Sequence, residues 1–324
     1  MSTYKGIQGM AVESLETDPT PVNNYEGQLW YNSTTGAFKI AVATTGAWAS
    51  ATALPVGIAQ QACIGTATAA LSAFGDLDTP VTANSYEYNG TSWAAGGTGN
   101  TARRNLAAAG IQTAGLAIGG TSPPGDNAQT ESYNGTAWTE TGDIPSGRQG
   151  LGGAGTTTAA IAFGGGTGAG VATSDTFNGT SWTASNSLNN ARDNVGGGGI
   201  SATDAMCAGG NTTNYTEKFN GTSWTEVGDL NSSRNEAGVS MQGTSTAFLT
   251  FGDSQAPESA LNEKFNGTSW TELADLGTGR TGTRGCGTAE AALCVGGVYP
   301  PTTHATIVEE WSEPSYTIKT VTVS

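Results

Sequence analysis

The sequence predicts an all-β chain, and three observations carry that prediction. A short phrase, FNGTSWTEV at 219–227, recurs as YNGTSW (88–93), YNGTAWTET (133–141), FNGTSWTAS (177–185) and FNGTSWTEL (265–273). Each copy reads as a β-hairpin in which an aromatic strand enters, Asn-Gly supplies two residues that tolerate φ > 0, and a Thr/Trp strand leaves. Trp48, Trp93, Trp138, Trp182, Trp224 and Trp270 then fall 42 to 46 residues apart. A strand-rich repeat of that length is one four-stranded blade of a propeller. Finally, 49 of the 324 residues are glycine and only 12% are charged. That composition suits short strands and many turns, whereas long helices need more Leu, Glu and Lys.

Taken in order, residues 1–45 precede the repeats. They hold an acidic, Pro-bearing stretch (Glu13 to Pro21) and then EGQLWYNSTTGAFKIAV, a hairpin turning at Ser33–Gly36. Within a repeat, 148–185 for instance, Arg148 opens a run of small residues (Gly150 to Gly155), and a turn follows at Thr156–Thr158. AAIAFGGG (159–166) forms the second strand, and the SDTFNG and SWTAS strands close the unit. The innermost strand is nearly free of side chains at Ala107–Ala109, Gly152–Ala154 and Gly196–Gly199, as close backbone approach at a central axis demands. The second strand restores bulk with Leu116–Ile118, Ile161–Phe163 or Phe248–Phe251.

The second strand ends in Gly-Gly or Gly-Asp six times, at 75, 119, 164, 209, 252 and 296. Five copies own an NGTxW hairpin. The sixth reaches VEEWSEP (308–314) with Trp311 in the aromatic place and no Trp strand after it, while GAWASATALP (46–55) is a Trp strand with no second strand before it. We therefore expect residues 46–53 to complete the blade built from 280–311, giving six blades closed by an N-terminal strand without an open sheet edge. YTIKTVTVS (316–324) alternates as a strand should and lies outside the repeat.

An opening Arg, a di-glycine (Gly119-Gly120, Gly164-Gly165, Gly209-Gly210, Gly296-Gly297) and a Tyr/Phe followed five residues later by Trp resemble the kelch repeat over roughly residues 46–311. Gly75-Asp76 and Gly252-Asp253 depart from the di-glycine. GQLWYNSTTGAFK resembles a motif near the start of structural and fibre proteins of tailed, especially marine, bacteriophages. These resemblances imply three parts: an adapter that attaches to a virion (1–45), a six-bladed kelch-like propeller (46–311), and a C-terminal strand near the adapter (312–324). They imply a non-enzymatic phage structural protein, located in the virion after synthesis in the host cytoplasm. It would be held to other virion proteins through 1–45 and 312–324, in several copies per particle, and present loops to a host-surface glycan or receptor. A non-viral lectin-like or protein-binding propeller is the alternative, and a glycan-active enzyme the third reading.

Arg103, Arg148, Arg192, Arg234 and Arg280 each precede an innermost strand, with Ile58 near the corresponding place of the first repeat. A propeller brings them to one end of its channel. Similarly placed arginines of kelch domains bind acidic partners, which implies a channel-mouth binding ring. The competing reading is that each guanidinium ties carbonyls or carboxylates between adjacent blades with its five donors. Loops such as 122–129, 166–174, 211–215, 253–260 and 298–305 differ most between copies, and Tyr299 and His304 are candidate ligand contacts there.

The net charge of −15 disfavours nucleic-acid binding, and no apolar stretch long enough to insert in a membrane occurs. With one histidine, His304, neither a Ser-His-Asp triad nor a His-rich metal site can be assembled, so no metal or cofactor is expected. Cys63, Cys207, Cys286 and Cys294 form no CxxC and read as small buried hydrophobes. Cys286 and Cys294 are placed to face each other across one hairpin.

Overall fold

The recurrent hairpin forms around a four-residue loop. In the computed structural model, which describes residues 12–20, 27–78, 80–254, 259–299 and 303–322, Tyr88 pairs with Trp93, Tyr133 with Trp138, Phe177 with Trp182, Phe219 with Trp224, and Phe265 with Trp270. The loop asparagine acts through its side chain: Asn220 Oδ1 accepts the N–H of Thr222 and of Ser223, both at 2.9 Å. Only the glycine takes a positive φ, 89° at Gly221. The sequence expectation of two φ > 0 residues is corrected, because the side-chain turn relieves Asn of that role.

The described residues are all-β, with no helix. The chain divides into two units, Met1–Ala47 with Glu313–Ser324, and Trp48–Ser312. Expectations on 1–11, 21–26, 255–258, 300–302 and 323–324 lie outside the described residues. Those spans include the start of the adapter segment and the tips of the 253–260 and 298–305 loops.

The larger unit is propeller-like, made among its described residues of six four-stranded antiparallel sheets. The first runs Ala62–Thr66, Ala69–Asp76, Val81–Tyr88, Trp93–Ala95, and the next four repeat that order. The sixth consists of Arg284–Gly287, Ala291–Val295, Val308–Ser312 and Ala47–Ser50, so its outer strand comes from the other end of the sequence. Trp48 and Trp311 are neighbours across that seam, with ring centroids 5.7 Å apart.

Successive innermost strands lie side by side, and the sixth touches the first. One hydrogen bond repeats at each junction. The N–H of Gly75, Gly120, Gly165, Gly210, Asp253 and Gly297 donates to the carbonyl of Arg103, Arg148, Arg192, Arg234, Arg280 and Ile58 respectively. This register corrects the alignment of the first repeat: its di-glycine equivalent is Phe74-Gly75, with φ of 60° and 112°, rather than Gly75-Asp76. The pairing is irregular between Ala73 and Gly75, where the facing strand carries an extra residue between Thr82 and Ser85, and the fifth sheet repeats this between Phe251 and Asp253.

Small residues allow the inner strands to approach. A Cβ on Gly197 would lie 2.5 Å from Gly152 Cα in the adjacent sheet. Farther out, tryptophan fills the space between sheets. Trp182, Trp224 and Trp270 donate Nε1–H to Thr130, Ser174 and Thr216 of the preceding sheet at 3.0–3.1 Å. Phe163 meets Trp224 of the next sheet edge-on at 4.7 Å, a favoured aromatic geometry.

The smaller unit is one sheet ordered Glu13–Leu15, Leu29–Asn32, Ala37–Ala43, Tyr316–Thr320. Both chain ends thus share a sheet, with Ala41 opposite Ile318. Trp30 is buried, and its Nε1–H and Asn32 Nδ2 donate to Asp18 Oδ1 at 3.0 and 2.8 Å. Those two bonds, Asn32 first, hold the Asp18 pKa below its ordinary value.

The inner-strand contact gives a direct test. Gly197→Val forces Gly152 away and is expected to cost about 1–3 kcal/mol through overpacking, read as a lower urea midpoint with an unchanged slope.

Candidate functional site

The five recurrent arginines are interior residues. Arg103, Arg148, Arg192, Arg234 and Arg280 are at most 2% exposed, and each meets a carboxylate on the third strand of its own sheet: Glu131, Asp175, Glu217, Glu263 and Glu309. A ligand-facing ring of these arginines is therefore corrected, and so is a tie between neighbouring blades. The charge is needed inside the sheet, where an unpaired carboxylate would be costly.

The partnership extends to the loop entering the inner strand. Glu217 takes Arg192 Nη2 at 2.8 Å on one oxygen, and the Asn189 N–H and Nδ2 at 2.7 and 2.8 Å on the other. Glu263 repeats this with Arg234 and Asn231, and Glu131 with Arg103 and Asn100. In the sixth sheet the Gly277 N–H takes the asparagine's place at 2.6 Å. Burial lowers the Arg103 pKa against the pull of Glu131. At Arg280 burial acts the same way but is outweighed by Cys294 and Glu309, so its pKa is raised. The first sheet drops both partners together: Ile58 stands in the arginine's place and Tyr86 in the acid's, packed in one apolar cluster.

Two residues beyond each arginine, the chain turns through the left-handed region in every repeat. Gln60, Asn105, Gly150, Asn194, Glu236 and Gly282 have φ between 52° and 65°. Backbone bonds run along this collar: Asn105 N–H to Gln60 O, Gly150 N–H to Asn105 O, Glu236 N–H to Asn194 O, and Gln60 N–H to Gly282 O, all 2.8–3.0 Å. The collar surrounds a polar cup of about 240 Å³ lined by Gln60, Arg104, Asn105, Gln149, Asp193, Asn194 and Glu236 among others. Between the inner strands below it, lined by Ala62, Ala107, Gly152 and Gly197, only about 30 Å³ is open.

The cup is wired by amides. Gln60 Nε2 donates to Glu236 at 2.8 Å, and Asn105 Nδ2 to Asn194 Oδ1 at 3.0 Å. Arg284, which lines the narrow cavity, donates to Asn105 Oδ1 at 3.0 Å and to the Thr283 carbonyl, and among the described residues has no ion-pair partner. Burial lowers its pKa, and Glu236 opposes that. Arg104 is paired with Asp76. Such a cup offers planar donors and acceptors with little apolar surface, the chemistry that holds hydroxyl and amide groups.

Tyr299 and His304 lie elsewhere, half-buried on a two-stranded ribbon of Val298–Tyr299 and Thr303–His304. His304 Nε2 is 3.8 Å from Asp76, so the histidine sits against the protein rather than free in a loop. Among the described residues, no group of three or more His, Cys, Asp or Glu side chains has the geometry to hold a metal ion. Sequence reasoning missed the collar, Arg284 and the acids. The acids carried a usable signal, since Glu131, Asp175, Glu217, Glu263 and Glu309 all stand two residues before the strand's aromatic.

No model of a known protein family matches the chain, and no curated protein matches it either.

The ion-pair unit predicts a specific rescue. Arg192→Ile alone is expected to lose about 3–5 kcal/mol of unfolding free energy by stranding Glu217. The double variant Arg192→Ile with Glu217→Tyr, which copies the first sheet, is expected to recover most of it. Urea unfolding of the full double-mutant cycle measures the coupling.

Proposed function

We propose that the chain is a six-bladed, kelch-like propeller closed by the strand Ala47–Ser50, and that it is a non-enzymatic component of a tailed-phage virion. The sheet shared by the two chain ends attaches it to other virion proteins, and the cup binds a polar group of the host surface or of a neighbouring virion protein. Closure is supported by the sixth junction, where Gly297 N–H donates to Ile58 O at 2.8 Å as its counterparts do elsewhere. The viral setting is supported by the GQLWYNSTTGAFK resemblance, which falls on the hairpin Leu29–Asn32 with Ala37–Ala43.

The binding role rests on one observation: four non-glycine residues with positive φ, Gln60, Asn105, Asn194 and Glu236, border one polar cup. A side chain held in that backbone region costs on the order of 1–3 kcal/mol, and such strain clusters at ligand sites. Glycine fits the same backbone freely.

Mass spectrometry of purified particles tests the setting, and the absence of the chain from them removes it. Binding of the purified protein to host cells tests the cup. The triple variant Gln60→Gly, Asn194→Gly, Glu236→Gly keeps the backbone and deletes the side chains. It is expected to retain or raise its melting temperature while its affinity for host cells falls about tenfold or more, that is by about 1.4 kcal/mol or more. Undiminished binding would remove the cup from the function.

A further inference from the structure

We propose that Cys63 and Cys286 are the site of an oxidative cross-link that ties the first sheet to the sixth. Cys63 lies on the inner strand Ala62–Thr66 and Cys286 on Arg284–Gly287. These strands run side by side across the seam between the two ends of the repeat. Both cysteines belong to one buried cluster with Ile58, Leu293 and Val295. The neighbouring Cys286 thiol, together with burial, pushes the Cys63 pKa up, and Cys286 Sγ points across the seam at the carbonyl of Thr66, on the strand that carries Cys63, at 3.8 Å.

The other cysteines do not compete. Cys286 pairs in register with Leu293, and Cys294 with Gly285. Successive residues of a strand point to opposite faces, so Cys286 and Cys294 do not face each other, which corrects the sequence expectation. Cys294 is occupied instead by Arg280 and Thr283, whose donor atoms lie 2.8 and 3.0 Å from its sulfur. Cys207 is sealed in another cluster, with Phe163 and Trp224, away from the seam.

Hydrogen peroxide is small enough for the 30 Å³ cavity that Cys63 lines. The Cys63 sulfur attacks one peroxide oxygen and the O–O bond breaks. The departing hydroxide takes the thiol proton and leaves as water, and a sulfenic acid remains on Cys63. The Cys286 sulfur then attacks that sulfur, and the hydroxyl leaves with the Cys286 proton as a second water. Two thiols are thereby oxidised to one disulfide by the two electrons that reduce one peroxide. The cross-link closes a loop of well over two hundred residues, and long loops gain most from closure.

The full chain, purified under reducing conditions, is treated with hydrogen peroxide while folded, alkylated, and mapped without reduction. The proposal expects free thiols to fall from the four of the reduced chain to two, a Cys63–Cys286 peptide pair, and a higher melting temperature that reverts with dithiothreitol. Cys63→Ala and Cys286→Ala are each expected to abolish both the pair and the shift, whereas Cys207→Ala keeps them. Four persistent thiols, oxidation of Cys63 without a partner, a different pair, or an unchanged melting temperature in the cross-linked protein would overturn it.

Discussion

A buried guanidinium is the constraint that organises five of the six repeats. An arginine taken out of water must meet a carboxylate of good geometry, and that carboxylate must have its other oxygen satisfied. Arg192, Glu217 and Asn189 meet this demand with groups from three places: the loop before the inner strand, the third strand, and the turn three residues upstream. Three segments far apart in sequence are thereby fixed against each other. The fit is sensitive to length. Where Asp175 replaces glutamate, Arg148 sends Nε to the Gly164 carbonyl at 2.8 Å, a bond not seen for the other four.

The first sheet shows what the constraint excludes. Losing the arginine alone leaves an acid in the interior, and losing the acid alone leaves a cation there. Ile58 and Tyr86 replace the pair as a unit, in the same place and with apolar packing. The junction to the next sheet is then strengthened by other means: the Phe74 ring lies 4.6 Å from the Arg103 guanidinium carbon, a distance at which a cation is attracted to the ring face.

Much of the architecture was legible because it repeats. The Trp period marked the outer strands, and the lone GAWAS stretch marked the strand that the last sheet borrows. The arginines were visible too, but their role was not, since sequence position shows that five cations recur and not which way they point. Burial decided that. The collar was hidden for a different reason: its identity is a backbone angle, and the residues that adopt it, Gln60, Asn105, Gly150, Asn194, Glu236 and Gly282, share no side-chain chemistry. The first repeat was misaligned by one residue because Phe74 holds, at φ 60°, the place that a glycine fills in the other five sheets, and a pattern that looks for glycine passes it by.

The same hidden feature separates what the fold requires from what it permits. A left-handed turn two residues past each arginine is required, and glycine or asparagine meets it at least cost. Gly150, Gly282, Asn105 and Asn194 obey that rule. Gln60 and Glu236 break it, and they are the two joined by a 2.8 Å hydrogen bond at the rim of the cup. The flanking backbone is already fixed by the inter-sheet bonds on one side and the inner strand on the other, so the scaffold can carry the strain of two unsuitable residues. Glu236 also accepts the Thr281 hydroxyl on its other oxygen, at 3.3 Å, so the two side chains lace three repeats together at the rim. Their side chains line the cup, and in this sense the interior ion pairs and the polar mouth belong together: the first over-determine the backbone that carries the second.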